Sequence, residues 1–127
     1  MSDTVTEGVR VRVDARYHPE RSQPLRGYFF FSYTVRIGNE GAVPVQLRSR
    51  HWQITDANGT VEHVRGPGVV GEQPRLLPGE GFEYTSACPL PTSLGSMEGT
   101  YEMVRDDGST FDAVIGAFTL ADPDSLN

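Results

Sequence analysis

Apolar residues recur at every second position through much of this chain. Val9, Val11, Val13, Ala15 and Tyr17 alternate with Arg10, Arg12, Asp14 and Arg16, which predicts a half-buried strand. The stretch from His18 to Pro24 carries two prolines and predicts a solvated loop. From Tyr28 to Ile37, Phe29, Phe31, Tyr33, Val35 and Ile37 share one face, making them the strongest core candidates. Tyr28 and Phe30 fall on the other face, so the start of that strand is expected to be covered on both sides. Gly38 to Gly41 turns the chain into a third strand, Val43 to Asp56. Its apolar phase runs through Val43, Val45 and Leu47 and then shifts to Trp52 and Ile54, as one extra residue near Ser49 to His51 would produce in a β-bulge.

Asp56-Ala57-Asn58-Gly59-Thr60 predicts a hairpin, either a two-residue Asn-Gly turn or a type I turn closed by Gly59. The bulged form is preferred because it sets Val64 across from Trp52 and makes His51 and His63 diagonal neighbours. A strand from Thr60 to Arg65 follows, then a glycine-rich stretch, a Pro78-Gly79 turn, and strands over Phe82 to Ala87, Met97 to Val104 and Thr110 to Leu120. The last carries Phe111, Ala113 and Ile115 before a phase change to Phe118 and Leu120. The tail from Ala121 to Asn127 is polar and expected to fray. About seven strands without helical periodicity predict one all-β domain over residues 1–127, ordered from about residue 8 to 120. Two packed antiparallel sheets bury such a pattern most economically, and a closed barrel is the alternative.

Composition narrows the function more than the fold. At 127 residues the chain holds one core. A formal charge of −6 repels nucleic acid. All eleven cationic side chains are Arg, spread without a cluster. The single Cys88 allows no internal disulfide, and the N-terminus has neither a basic nor an apolar region of the export type, so a cytoplasmic setting is expected. No segment approaches the roughly 18 apolar residues of a membrane span.

The motif that attracts a chemical reading is Gly66-Pro67-Gly68-Val69-Val70-Gly71, which fits G-x-G-x-x-G. It follows a strand, but Pro74 and Pro78 leave no room for the helix that would carry a pyrophosphate, and no Gly-Lys-Ser/Thr follows. A nest of N–H groups flanked by Arg65 and Arg75, holding a phosphate-type anion, is one remaining reading. A tight loop that packs on a neighbouring strand or faces a partner is the other. Metal binding has weak support, because His51 and His63 would face Arg65 in the bulged register and a fixed cation opposes a divalent one. Neither Ser86 nor Cys88 is tied by spacing to a histidine, so no catalytic residue is assigned. Trp52, the sole tryptophan, reads as an inter-sheet core residue, with an exposed stacking platform as the alternative.

Several blocks resemble a known family. His51 to Gly59, Val64 to Pro74, Leu77-Pro78-Gly79-Glu80, Phe82 to Ser86 and Gly95 to Tyr101 are similar, in order, to the blocks of the bacterial ApaG (CorD) family. The resemblance implies a fibronectin type III-like (immunoglobulin-like) antiparallel β-sandwich of about seven or eight strands. It implies no enzymatic activity and no cofactor. Family genes neighbour a diadenosine tetraphosphatase gene and are associated with cobalt and magnesium resistance. Related eukaryotic domains recruit substrates in an F-box protein and occur in a DNA-polymerase-interacting protein. The family glycines map onto Gly66, Gly68 and Gly71, and Pro67 stands where many relatives carry a charged residue, which removes one N–H from any anion cradle. The expected function is a protein-binding module presenting Gly66, Gly68, Val69, Val70 and Gly71 with Arg65, Arg75 and Trp52 nearby. The alternative is a sensor for a phosphate compound or a divalent-ion complex at the same loop. No nucleic acid or membrane partner is expected, and free strand edges permit a homodimer.

Overall fold

The period-two pattern becomes nine strands in a computed structural model that describes residues 1–126. They are β1 (Ser2–Thr6), β2 (Val9–Tyr17), β3 (Phe29–Asn39), β4 (Val45–Asp56), β5 (Val61–Pro67), β6 (Arg75–Leu76), β7 (Gly81–Leu90), β8 (Leu94–Arg105) and β9 (Thr110–Ala121). All pairings are antiparallel, in one sheet ordered β1-β2-β3-β7 and a second ordered β5-β4-β8-β9. Strand β6 pairs with β4 on the edge that β5 occupies further along. The only helical pieces among the described residues are short 3-10 turns, and no helix is long and apolar enough to cross a membrane.

The two sheets form an all-β sandwich, as the alternation predicts. Val9, Val11, Val13, Phe31, Val35 and Ile37 of the first sheet and Leu47, Trp52, Met97, Tyr101, Met103, Ile115 and Leu120 of the second are each at most 2 % exposed. They form one contiguous core. Phe30 is covered on the outer face, as its position predicts: the Arg21 guanidinium lies 4.0 Å above its ring and the His18 ring meets it edge-on.

Three registers position the functional region. The Asp56–Thr60 hairpin takes the bulged form, with Gly59 at φ 83° and Asp56 N–H donating to the Thr60 carbonyl at 3.1 Å. Trp52 therefore sits opposite Val64 and His51 opposite Arg65. The bulge of β4 falls between Leu47 and Ser49, making Arg48 the extra residue, just ahead of the predicted window. In β8–β9 a further shift between Met97 and Gly99 moves the pairing from Phe118 to Ile115, which turns both of those side chains inward and accounts for the phase change in β9.

One strand escapes the pattern. β1 was expected to belong to a flexible terminus, yet it pairs with β2 from Ser2 to Thr6. Its exposed residues are Asp3 and the apolar Val5, while its hydroxyls reach across to the backbone of β9: Thr4 Oγ1 donates to the Val114 carbonyl at 2.6 Å, and Val114 N–H donates to Thr6 Oγ1 at 3.1 Å. Hydrogen bonding closes the sandwich on that side, so no apolar alternation is needed. On the opposite side, between the free edges of β7 and β5, no such strand lies across among the described residues. Of the polar tail, Pro123–Leu126 forms a 3-10 turn and Asn127 lies outside the described residues.

Candidate functional site

An extra residue in β4 leaves backbone groups without strand partners, and the glycine stretch supplies them. The chain leaves β5, loops past Arg48 and rejoins the same edge of β4 as β6. The Arg48 carbonyl accepts the Gly68 N–H at 2.9 Å and the Gln73 side-chain amide at 2.8 Å, and Leu47 N–H donates to the Pro74 carbonyl at 3.0 Å. From inside, the Arg50 guanidinium donates through Nη1 to the carbonyls of Pro67 at 3.0 Å and Gly68 at 2.9 Å. Charge-assisted bonds of this kind contribute about 1.5–3 kcal/mol each. A Cβ at Gly66 would lie 3.0 Å from that guanidinium, so the absence of a side chain there lets Arg50 reach the loop.

The remaining glycines close the turn. Gly68 has φ +61°, and a Cβ there would sit 2.2 Å from the Glu72 carbonyl oxygen. Val69 and Glu72 exchange backbone hydrogen bonds at 2.8 and 2.9 Å around a two-residue turn whose central residues, Val70 and Gly71, both have positive φ. Such a turn favours Asn, Asp or Gly at its first central position. Here that position holds Val70, β-branched, at φ +44° and 58 % exposed, while its neighbour Val69 is 1 % exposed and joins the core. The two valines have opposite roles: one anchors the loop and the other is presented at its tip. Gly68→Ala is expected to destabilise the fold by about 2 kcal/mol, from left-handed strain plus the carbonyl clash. Gly71→Ala, with open space around its α-carbon, should lose only about 1 kcal/mol. Equal losses in thermal melts would show that the close approach at Gly68 is not what requires glycine.

This geometry departs from an anion nest. The N–H groups of Gly68, Val69 and Glu72 are engaged with carbonyls, and Pro67 has none. Arg75 does not flank the loop as a free cation, because its guanidinium binds Asp106 at 2.6 Å. Arg65 is exposed on the outer face. Trp52 is 2 % exposed and takes the core position, with Tyr33 at 5.2 Å and Phe118 at 5.9 Å between ring centroids, so it offers no surface platform.

The other chemical candidates are dispersed by the fold. His51 Nε2 and His63 Nδ1 approach to 2.9 Å on the outer face of the second sheet. Desolvation, followed by the charges of Arg65 and His63, lowers the His51 pKa, with Asp112 pulling weakly the other way. Among the described residues no three His, Cys, Asp or Glu side chains converge. Cys88 is buried, and burial pushes its thiol up to about 11, so it stays protonated at neutral pH.

One constellation is invisible at the level of sequence spacing. Ser32 Oγ lies 2.6 Å from His18 Nε2, whose Nδ1 lies 3.0 Å from Glu20 Oε1. The order resembles a nucleophile, a base and an orienting carboxylate. Ser32, however, is a mid-strand residue of β3, paired with Arg16 and Ala87 on either side. N–H groups in such a ladder are not available as a preorganised oxyanion hole. Ser22 Oγ donates to the His18 carbonyl at 2.7 Å and accepts the Phe30 N–H at 2.9 Å, so the group pins the loop after β2 onto the sheet. Arg50 is the second residue missed by the motif reading. Its signal was available, since the Trp52–Ile54 phase extended back two residues turns Arg50 inward.

Comparison with known proteins covers the same region and more. A family model described as the ApaG domain matches residues 19–105. Protein ApaG of Anaeromyxobacter dehalogenans (strain 2CP-C) is 61 % identical over 127 residues, covering 100 % of both chains. Protein ApaG of Pseudomonas aeruginosa (strain UCBPP-PA14) is 54 % identical, again over 100 % of both. A crystal structure of the ApaA protein from Bordetella pertussis superposes with a TM-score of 0.89 at 54 % identity, covering 91 % of this chain and 94 % of that one.

Proposed function

This chain belongs to the ApaG-domain family, and on that footing we propose that it is a non-enzymatic, cytoplasmic binding module that docks a protein partner through the Gly66–Gly71 loop. The observation that carries this reading is Val70, an apolar β-branched side chain held at φ +44° and presented to solvent. A strained residue of this kind persists where its surroundings over-determine it, and such residues cluster at functional clamps. Arg48, Arg50, Gln73 and the buried Val69 provide that support. The loop is thereby preorganised, which lowers the ordering entropy lost on binding. The expected partner carries a small apolar pocket for Val70 and a rim compatible with Arg65. The cobalt and magnesium association of the family would then act through that partner. His51 and His63, the chain's closest imidazole pair, face Arg65, whose fixed charge opposes a divalent ion.

Val70→Asn separates the loop's fold from its binding. Asn tolerates the left-handed region, so the variant should gain on the order of 1 kcal/mol and melt a few degrees higher. Quantitative affinity capture from the native extract should recover a partner with the wild-type chain and lose it with Val70→Asn. A partner retained undiminished by this better-folded variant would remove the loop from the interaction.

A further inference from the structure

Inward-facing rows in both sheets are interrupted by polar side chains at one level of the sandwich. On β7 the row Phe82, Tyr84, Ser86, Cys88, Leu90 contains the hydroxyl of Ser86, paired with Tyr33 across to β3. On β4 the row through Trp52 and Ile54 begins at Arg50. Both line a cavity of about 170 Å³ between the two sheets on the side where β7 and β5 end them, with Tyr33, Trp52, Cys88 and Met97 among its walls. An engineered apolar cavity of about 150 Å³ accommodates benzene.

Two side chains here keep N–H groups without partners among the described residues. Arg50 is half-buried, and among the described residues no carboxylate pairs with it. Its Nη1 holds the Pro67 and Gly68 carbonyls, while Nε and Nη2 make no hydrogen bond to a described residue. The phenols close to it are not counter-ions: burial raises Tyr33, Tyr84 and Tyr101 further than the Arg50 charge lowers them, so they stay neutral. Trp52 is 2 % exposed, and its Nε1 has no hydrogen-bond partner among the described residues. It lies near the Tyr84 hydroxyl, which is itself bonded to the hydroxyl of Tyr101, without reaching hydrogen-bond geometry. A buried N–H without a partner is unusual in an interior where polar groups are normally satisfied, and here it accompanies a half-buried cation with a free edge and a cavity of ligand size.

We infer that the cleft between β7 and β5 is a binding site for a small monocarboxylate with a compact apolar body, held by the free edge of the Arg50 guanidinium and the Ser86 hydroxyl. The planar fork of Arg matches the two oxygens of a carboxylate. The partly buried Ile54 and Val64 offer apolar surface to the rest of the ligand, with Trp52 and Met97 behind them. A phosphate dianion fits less well, since it brings a second negative charge to a slot that offers one cation, in a chain whose net charge is −6. The volume excludes nucleotides. The site lies inside the sandwich, apart from Val70, and shares with the loop only the Arg50 bonds to Pro67 and Gly68.

Benzoate is the probe, and Trp52, as the only tryptophan, is the reporter. In the full chain, benzoate at millimolar concentration is expected to shift the Trp52 indole Nε1–H resonance saturably, along with the Gly68 amide. Neutral benzamide and inorganic phosphate should each bind about tenfold more weakly or worse. Arg50→Gln should lose the response, but it also releases the loop. Ser86→Val therefore serves as the second variant: it fills the cavity, should melt no lower than wild type, and should weaken benzoate about tenfold. The assignment is overturned if benzoate leaves the indole resonance unmoved, if benzamide or phosphate binds as well as benzoate, or if Ser86→Val binds benzoate with unchanged affinity.

Discussion

Trp52→Ala is expected to destabilise the domain by about 3–5 kcal/mol and lower its melting temperature by roughly 10–20 °C. The indole is 2 % exposed and packs against Tyr33, Phe118 and Tyr101 at centroid distances of 5.2, 5.9 and 6.3 Å, so its removal empties the centre of an aromatic cluster that joins the two sheets. A sandwich cannot collapse readily onto such a void, because each sheet is held by its own ladder. With typical stabilities of about 5–15 kcal/mol, a loss of this size is a large fraction of the total. Trp52→Phe keeps most of the packing and removes the buried N–H that has no partner, so it should lose only about 1–2 kcal/mol. Denaturant titration of the two variants distinguishes the cases, and equal losses would mean that the indole ring is not the packing centre.

Gly99→Ala is the second large effect, about 3 kcal/mol, and it arises from the backbone. Gly99 lies opposite Trp52 in the β4–β8 ladder, and a Cβ there would come within 2.0 Å of the His51 carbonyl oxygen. No flexible side chain can move aside; β4 and β8 must separate in the middle of the second sheet. Gly59→Ala, with positive φ but open surroundings, should lose only about 1 kcal/mol. The contrast, read from melting temperatures, isolates steric closeness from left-handed strain. If Gly99→Ala melts with or above Gly59→Ala, the close approach is not rigid.

Much of the architecture was legible because burial imposes alternation. β2, β3, β7 and β9 bury the side chains that their spacing assigns inward, and Trp52 opposite Val64 follows from choosing the hairpin register that unites them. The phase change between Leu47 and Trp52 announced a bulge but could not place it, since only apolar residues mark the phase, and Arg48 was the extra one. β1 was illegible because it is held by threonine hydroxyls on the β9 backbone. The pairing of Ser32 with His18 was likewise illegible, as it depends on where a loop folds back.

The candidate site divides along the same line. The glycine spelling drew attention to residues 66–71, and the prolines after it excluded a pyrophosphate-binding helix. The use of each glycine did not follow from the spelling: Gly66 admits the Arg50 guanidinium, Gly68 passes close to the Glu72 carbonyl, and Gly71 completes a turn with positive φ. Nor could adjacent, identical side chains reveal that Val69 is core and Val70 is presented.

By itself the sequence determined the family, the all-β sandwich and most of its inward faces, because hydrophobic period and long ordered blocks are properties of neighbouring residues. The tertiary structure alone decided that Arg50 reaches from the interior to the loop, that Arg75 is tied to Asp106, and that a cleft remains between β7 and β5. Those outcomes depend on which residues distant in the chain meet across the two sheets, and chain-local periodicity carries no information about such meetings.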